Sequence, residues 1–247
     1  MPKLSIIMPL YNEAARLERC LKSVIAQRDQ NFELIMVNDA STDQTPQIAT
    51  RFIRHHSNMS LLTQPSNQGI SAARNRGMRA AQGELITFID GDDWLEQQYT
   101  SYFLQKFAQR PLDMVVCGYV REPQRPAALL RSKHFQGYCG REEVLRHITK
   151  NSGQVKGYTW NKVYRLALIN KYHLQFESDL SLMEDQVFNV QYATHAQHFY
   201  IGTQPLYHYW QHNQSATHTY DLESAKSVGL ANYRIVKTLL KSKKSQK

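Results

Sequence analysis

Short apolar runs alternate with amphipathic helical stretches through the first 120 residues, and this alternation limits the folds open to the chain. The runs are too short for helices, whereas the stretches between them carry apolar residues at helical spacing. The predicted strands are 4–8, 32–38, 60–63 and 85–89, and the predicted helices are 13–27, 43–56 and 71–81. Repeated strand–helix–strand units predict an α/β domain with a mostly parallel sheet flanked by helices, which binds ligands at the carboxyl ends of its strands.

After residue 120 the alternation of predicted strands and helices becomes irregular. The sequence predicts a strand at 114–117, a loop at 121–136, helices at 141–149 and 184–193, β-prone runs at 198–201 and 206–210, and a final helix at 221–240. No internal repeat is visible. We therefore divide the chain into a first half (1–120), a second half of the same domain (121–220) and a C-terminal helix and tail (221–247).

The formal charge of +9 is unevenly distributed, because the first 100 residues are slightly acidic and the remainder is basic. From Lys226 onward the chain holds basic residues and no acidic one, which suits either an anionic surface or a solubilising tail. Three scattered cysteines exclude a disulfide scaffold, and no apolar run is long enough for a membrane span. These features predict a cytoplasmic protein.

Three carboxylates follow an apolar strand directly: Asp90, Asp92 and Asp93. Two carboxylates ~4 Å apart repel by roughly 4 kcal/mol at an effective dielectric near 20, so a cation or a proton must offset the charge. Oxygen ligands of this kind suit Mg²⁺ or Mn²⁺, with coordination sites left for a diphosphate. The alternative is an acidic turn that caps a helix from residue 95.

Two further groups belong to the same predicted edge of the sheet. Asp39 ends the second strand, where a carboxylate can accept hydrogen bonds from a nucleoside. Asn67 and Gly69 precede a helix that carries Arg74, which either reaches toward phosphate or base or is a solvated surface residue. The sequence lacks both the dinucleotide-binding GxGxxG motif and the P-loop, which excludes those two nucleotide sites.

Taken in order and spacing, the segments 9–13, 37–43, 67–75 and 88–94 resemble the nucleotide-binding half of family 2 glycosyltransferases of bacterial surface and exopolysaccharide synthesis. The resemblance implies the GT-A fold, with a Rossmann-like sheet and a C-terminal helical extension on the acceptor side. It also implies a nucleotide-sugar pocket formed by Pro9, Tyr11, Glu13, Asp39, Asn67, Arg74, Asp90 and Asp92.

Within that pocket the resemblance gives each polar residue a role. Asp39 would contact the uracil or its ribose, and Arg74 would support the nucleotide. Asp90 and Asp92 match the DxD motif of the family, with Asp92 the direct metal ligand and Asp90 nearer the ribose. The metal, Mn²⁺ or Mg²⁺, would neutralise the departing diphosphate.

The second half resembles the acceptor side of the same family. Glu184 and Asp185 match its ED motif, and Asp185 falls at the position of the catalytic base; the alternative is a pair of helix N-terminal charges. Trp160 either stacks on an acceptor sugar or belongs to the core. Trp210 stands where relatives often carry Arg, which leaves His212 as a candidate for a phosphate or metal contact, or as a structural residue.

The sequence thus predicts an inverting, metal-dependent hexosyl- or N-acetylhexosaminyltransferase that uses a nucleotide-sugar donor, a UDP-sugar, and a glycan or lipid-linked acceptor. The basic final helix either contacts the inner face of an anionic membrane or packs against the catalytic domain. Two other readings stay open: a basic nucleic-acid-binding protein, and a nucleotide-sugar binder without catalytic activity. The slightly acidic first 100 residues and the missing nucleic-acid motifs oppose the first, and Asp92 together with Asp185 opposes the second.

Overall fold

The computed structural model describes residues 2–123, 135–150, 155, 157–211 and 222–244. Its strands are β1 (Leu4–Leu10), β2 (Phe32–Asn38), β3 (Met59–Thr63), β4 (Leu85–Phe88), β5 (Trp94–Leu95), β6 (Met114–Glu122), β7 (Gly137–Cys139), β8 (Lys162–Arg165) and β9 (Phe199–Trp210). Its helices are α1 (Ala14–Ile25), α2 (Thr45–Ile53), α3 (Ile70–Ala80), α4 (Tyr99–Gln109), α5 (Arg141–Thr149), α6 (Leu166–Lys171), α7 (Glu184–His195) and α8 (Leu222–Lys244).

The described strands form one sheet in the order β3-β2-β1-β4-β8-β6-β9-β5, with β7 paired to β9. The four strands of the first half are parallel, as predicted. Beyond β4 the sheet is mixed, because β8 runs antiparallel to both β4 and β6. The prediction of a mostly parallel sheet therefore describes the first half, and the α/β architecture with flanking helices holds for the whole.

Side chains of alternate strand residues lie in two apolar layers, one on each face of the sheet. Ile6 and Met8 point into a layer that contains the buried residues of α1, α2 and α4. Ile7, between them, points into the opposite layer, which contains buried residues of α3, α5, α6, α7 and α8. This alternation follows from the period of two in a strand, and it explains why β1 is buried along its whole length.

The second half differs in detail from the sequence prediction. Strand β9 is continuous over residues predicted as two separate runs, and β6 continues to Glu122, inside the predicted loop. The two strands pair in parallel, with irregular register on either side of Gly118. A side chain at Gly118 would collide with the Thr203 carbonyl at 2.3 Å, so this close approach requires glycine.

The final helix is longer than predicted and packs against α7, burying Ala231 and Ile235 in the same layer as the α7 side chains. Packing against the rest of the protein therefore explains part of its apolar surface. None of the helices in the described ranges combines the length and apolarity that a membrane crossing requires.

Candidate active site

A cavity of about 900 Å³ lies where β1, β2 and β4 end, at the edge of the sheet that the parallel topology predicts for ligands. Residues 181–186, at the start of α7, and Val228 of α8 close it from the second half of the chain. His212 lies outside the described residues. Every other predicted site residue lines the cavity: Pro9, Tyr11, Glu13, Asp39, Asn67, Arg74, Asp90, Asp92, Trp160, Glu184 and Asp185.

Arg74 is buried at the centre of this site, with 2% of its side chain exposed. Its Nη1 donates to Asp185 Oδ1 at 2.6 Å and to Glu184 Oε1 at 3.0 Å, and its Nη2 donates to Asp90 Oδ1 at 3.2 Å. The surface alternative for Arg74 is therefore wrong. A buried guanidinium needs such partners because desolvation of an unpaired charge costs several kcal/mol.

The carboxylates around Arg74 outnumber it, and the pKa values of two of them, Asp90 and Glu184, are raised. Burial raises the pKa of Asp90 to about 6 against the opposing Arg74 charge, and nearby Asp92 and Asp185 raise it further. Burial and the Asp185 charge raise the pKa of Glu184 to about 7. Carboxyl groups with raised pKa values in a cleft are typical of sites that bind cations or transfer protons.

Glu13 adds another acidic group to the cavity, near Asp90 and Asp92. Burial, followed by repulsion from Asp92 and Asp90, raises its pKa to about 8. The backbone of the DxD segment is fixed close by, where the Asp92 carbonyl accepts a hydrogen bond of 2.7 Å from Arg19 Nη2. This corner of the cavity thus carries a negative potential that a bound cation would offset.

Asp93, the third carboxylate of the acidic cluster, has a structural role that the sequence does not signal. It is 1% exposed, and it accepts hydrogen bonds from the Tyr207 hydroxyl and, at 2.6 Å, from the Trp210 backbone N–H. Burial, followed by the charges of Asp90 and Asp92, raises its pKa well above the usual range. Asp93 therefore fastens the end of β9 to the loop that carries the DxD motif.

Asp39 is buried and holds the loop between β3 and α3. Its Oδ1 accepts from Gln64 Nε2 at 2.6 Å and from the Gln68 N–H at 2.8 Å, and its Oδ2 accepts from the Gly69 N–H at 2.8 Å. Gly69 has φ +84°, a left-handed conformation that glycine adopts without strain. The contacts orient Asp39 at the cavity wall and fix the start of α3, which carries Arg74.

Glu184 and Asp185 form the first turn of α7, directly after Met183 in a left-handed conformation with φ 67°. Asp185 Oδ2 accepts hydrogen bonds from the Thr159 N–H at 3.2 Å and from its hydroxyl at 3.1 Å. Both carboxylate oxygens of Asp185 are therefore oriented, one by Arg74 and the other by Thr159. The turn does start a helix, but its charges point into the cavity rather than to solvent.

Sequence comparison identifies the family. The model of glycosyl transferase family 2 matches residues 5–174, which is more than half of the chain. The chain belongs to glycosyl transferase family 2. It is 35% identical over 236 residues to EpsH of Bacillus subtilis (strain 168), a protein assigned as a glycosyltransferase, covering 94% of this chain and 67% of EpsH. It is 30% identical to the uncharacterized glycosyltransferase EpsJ of the same organism, covering 88% of this chain and 63% of EpsJ.

Solved structures agree with the GT-A fold of family 2. TarS of S. aureus in complex with UDP-GlcNAc superimposes with a TM-score of 0.77 at 22% identity, covering 94% of this chain and 66% of the TarS chain. The mannosyltransferase PcManGT of Pyrobaculum calidifontis, in complex with GDP-Man and Mn²⁺, gives a TM-score of 0.63 at 18% identity, covering 98% and 75%. The chain spans about two thirds of EpsH, EpsJ and TarS.

Trp160, although it lines the cavity, is a core residue of this family 2 chain. It is 2% exposed, and its ring stacks on Tyr207 at 4.3 Å and on Tyr158 at 4.7 Å between centroids. Tyr158 and Tyr209 line the cavity beside it and are only partly buried. On this side of the cavity, Tyr158 and Tyr209 therefore offer aromatic surface to a ligand, with Trp160 as their support.

Trp210, where the sequence resemblance leads one to expect Arg, has two arginines of α1 close to its ring. The guanidinium carbon of Arg19 lies 5.1 Å from the ring centroid of Trp210 and 3.8 Å from that of Trp94. Arg16 lies 5.8 Å from the Trp210 ring. Positive charge is thus present around position 210, although it comes from another element.

Lys162 is a buried lysine that sequence analysis missed. Its Nζ donates to the Val155 carbonyl at 3.0 Å, to Asn161 Oδ1 at 2.8 Å and to the Tyr158 carbonyl. Burial lowers its pKa to about 7, against the attraction of Asp185. These bonds fix the turn that presents Tyr158 to the cavity, and the only sequence signal is a lysine directly before the apolar residues of β8.

The carboxylates of Asp90 and Asp92 fit a metal ion that is bound together with a phosphate-containing ligand. Among the described residues, no cluster of three or more His, Cys, Asp or Glu side chains is arranged to hold an ion by itself. Mg²⁺ and Mn²⁺, however, are commonly held by one or two carboxylates plus phosphate oxygens. Asp92 and Asp90 can supply the carboxylates, and a cation would offset the repulsion that raises the pKa values of Glu13 and Asp90.

Proposed function

We propose that the chain transfers a sugar from a UDP-sugar to a hydroxyl group of a glycan or lipid-linked acceptor, with inversion at the anomeric carbon. The observation that carries this proposal is the Arg74 guanidinium, which contacts Asp90 of the DxD motif and Asp185 of the ED motif within one cavity. Donor-side and acceptor-side groups are thereby held in one fixed arrangement. The UDP-GlcNAc complex of TarS supports a UDP-sugar as donor.

The donor half of the proposed mechanism belongs to the edge formed by β1, β2 and β4. Asp39 accepts hydrogen bonds from the base or ribose, while Pro9, Tyr11 and Asn67 shape the pocket around the nucleotide. Mn²⁺ or Mg²⁺, when bound by Asp92 with Asp90 beside it, would neutralise charge on the departing diphosphate. The Mn²⁺ complex of PcManGT supports a divalent cofactor.

Asp185 is the proposed catalytic base. The attacking hydroxyl must lose its proton in the transition state, and a carboxylate that lines the acceptor side of the cavity can accept it. Arg74 and Thr159 hold the carboxylate in one orientation, so little reorganisation is needed at the moment of transfer. With the base on one side of the sugar and the leaving group on the other, a single displacement inverts the anomeric carbon.

We assign the nucleotide-sugar site to residues 1–120, the acceptor side and the base to residues 121–220, and a supporting role to residues 221–247. Glu184, beside the base, and the aromatic wall supported by Trp160 would contact the acceptor. We also propose His212 as a ligand of the phosphate or of the metal. We further propose bacterial polysaccharide synthesis as the setting, with the protein in the cytoplasm or at the inner face of the membrane; the similarity to EpsH supports the glycosyltransferase activity itself.

Two other functions are alternatives that the calorimetric experiment described next can distinguish from sugar transfer. A nucleic-acid-binding protein would exploit the +9 charge, but the cavity is lined by carboxylates that would repel phosphate without a cation. A nucleotide-sugar binder without activity would not need the buried contact between Arg74 and Asp185, which has an unfavourable desolvation cost.

Calorimetry on the intact chain separates these functions. In the presence of Mn²⁺, we expect UDP and a UDP-sugar to bind far more tightly than GDP. Both UDP ligands should bind more weakly when the metal is left out. With water as the acceptor, the bound UDP-sugar should be hydrolysed slowly, and free UDP should appear. A strongly salt-dependent affinity for RNA or DNA combined with metal-independent UDP binding would contradict the proposal.

A further inference from the structure

Helix α8 presents two different faces, and one of them serves the candidate site. Ser224, Ser227, Ala231 and Ile235 are buried against the body of the protein. Val228, near the middle of the helix on its inner side, lines the cavity. The helix is therefore part of the wall of the site.

The inner face is also fastened to the segment that leads into the ED motif. Arg234 makes two hydrogen bonds of 2.7 Å with the carboxylate of Asp179. Ser227 Oγ accepts from the backbone N–H groups of Ser181 and Leu182, each at 3.0 Å. The orientation of α8 relative to Glu184 is thus fixed by several bonds, and its outward face is fixed with it.

The outward face carries a row of large apolar side chains. Leu222, Tyr233, Val236 and Leu240 are 82%, 60%, 54% and 57% exposed. Together with Lys226 and Gly229 they follow one another at spacings of three or four residues, which places them along one side of a helix. The row extends for about 27 Å at the rise of an α-helix.

Lysines accompany this apolar row. Lys226, Lys237 and Lys241 are exposed and lie on or beside it, and Lys237 Nζ lies 5.6 Å from the ring centroid of Tyr233. From Lys226 to the last residue the sequence contains no acidic residue. Apart from Glu223 in the first turn of the helix, the face therefore combines exposed apolar area with positive charge only.

We propose that the outward face of α8 docks on an anionic lipid surface. Tyr233, Val236 and Leu240 would enter the boundary between headgroups and acyl chains, and the lysines would lie among the lipid phosphates. Because the same helix lines the cavity through Val228, docking would hold the cavity within about one helix diameter, roughly 10 Å, of the lipid surface. A transferase docked in this way could act on an acceptor carried by a lipid.

Charge and apolarity together favour this occupant over the alternatives. A second copy packed on the same face would bring the lysines of two helices together, which costs free energy unless anions intervene. A nucleic acid would satisfy the lysines but would leave the side chains of Val236 and Leu240 without an apolar environment. An anionic bilayer interface satisfies both kinds of side chain at once.

Co-sedimentation of the full chain with vesicles tests the proposal. We expect binding to phosphatidylcholine vesicles that contain about 30 mol% phosphatidylglycerol and little binding to phosphatidylcholine alone. Charge reversal of Lys226, Lys237 and Lys241 to Glu should weaken binding by about 100-fold, and substitution of Tyr233, Val236 and Leu240 by Ser should weaken it comparably. Circular dichroism of each variant checks that the chain is folded.

The matched control reverses Arg28, Arg54 and Arg79 to Glu, which changes the net charge equally on exposed positions of the first half. It should retain most of the vesicle binding. Equal loss in both charge variants, or no preference for anionic vesicles in the unmodified chain, would overturn the proposal. A concentration-dependent dimer that disappears in the Ser variant, without vesicle binding, would assign the face to a second copy instead. UDP affinity should be unchanged in every variant, so this test is independent of the proposed transfer reaction.

Discussion

Arg74 Nη1 donates to Asp185 Oδ1 at 2.6 Å, across 111 residues of sequence. Arg74 belongs to the first half of the chain and Asp185 to the second, so this bond joins the two sides of the cavity. The contact is also almost entirely buried on the arginine side, where its strength is least reduced by solvent. One residue thereby contributes both to the stability of the fold and to the geometry of the site.

Replacement of Arg74 by Met should reduce the free energy of unfolding by about 3–5 kcal/mol, because Asp90, Glu184 and Asp185 would lose a buried counter-charge. Urea unfolding monitored by fluorescence measures the change. Arg79→Met, at an exposed position of the same helix, is the control and should change stability by less than about 0.5 kcal/mol. Similar effects of both substitutions would contradict the central role of Arg74.

Asp92 and Asp93 are neighbours in sequence, but substitution by Ala should mainly reduce ligand affinity at Asp92 and mainly reduce stability at Asp93. Asp92→Ala should abolish the Mn²⁺-dependent part of UDP affinity and cost less stability than Asp93→Ala. Asp93→Ala should cost about 1–3 kcal/mol of stability, because the buried Trp210 N–H and Tyr207 hydroxyl lose their acceptor. Calorimetry with UDP and urea unfolding of both variants provide the comparison, and unchanged Mn²⁺–UDP affinity in Asp92→Ala would exclude Asp92 as the metal ligand.

The first half of the fold was predictable from sequence because its information is local. Strands with continuous apolar runs, such as Leu4–Leu10, alternate with helices whose apolar residues recur at helical spacing, and the parallel sheet follows from that order. The positions of Asp39 and Asp90 at the carboxyl edge follow in turn. The sequence alone therefore predicts that the candidate residues that follow these strands lie at one edge of the sheet.

The second half depends on contacts that no local pattern records. Strand β8 is four residues long and inserts between β4 and β6, so its identity is determined by its partners. The family resemblance separates Asp92, which belongs to the DxD motif, from Asp93, but nothing in the sequence indicates that Asp93 supports β9. The burial of Arg74 likewise depends on carboxylates supplied by α7, more than a hundred residues away.

Asp185→Asn should lower the rate of sugar transfer by about 10²–10⁴-fold, because the amide cannot accept the proton of the attacking hydroxyl. The substitution is nearly isosteric, and the amide oxygen can still accept from Arg74, so UDP affinity should remain close to that of the unmodified chain. Glu184→Gln, one residue earlier in α7, is the matched control and should lose much less activity. If Glu184→Gln proved the more damaging change, the base would be Glu184.

Lys162 should give the stability of the protein a distinctive pH dependence. Its pKa is about 7 in the folded chain and 10.5 ordinarily, so between these values the unfolded chain binds more protons than the folded chain. The free energy of unfolding should therefore rise with pH in this window, by up to about 1.4 kcal/mol per pH unit from this group. Lys162→Met removes the titrating group, although it also loses hydrogen bonds to the Val155 and Tyr158 carbonyls and is less stable at every pH. Urea unfolding of both proteins at several pH values from 7 to 9.5 isolates the slope, and parallel curves for the two would show that Lys162 stays charged throughout.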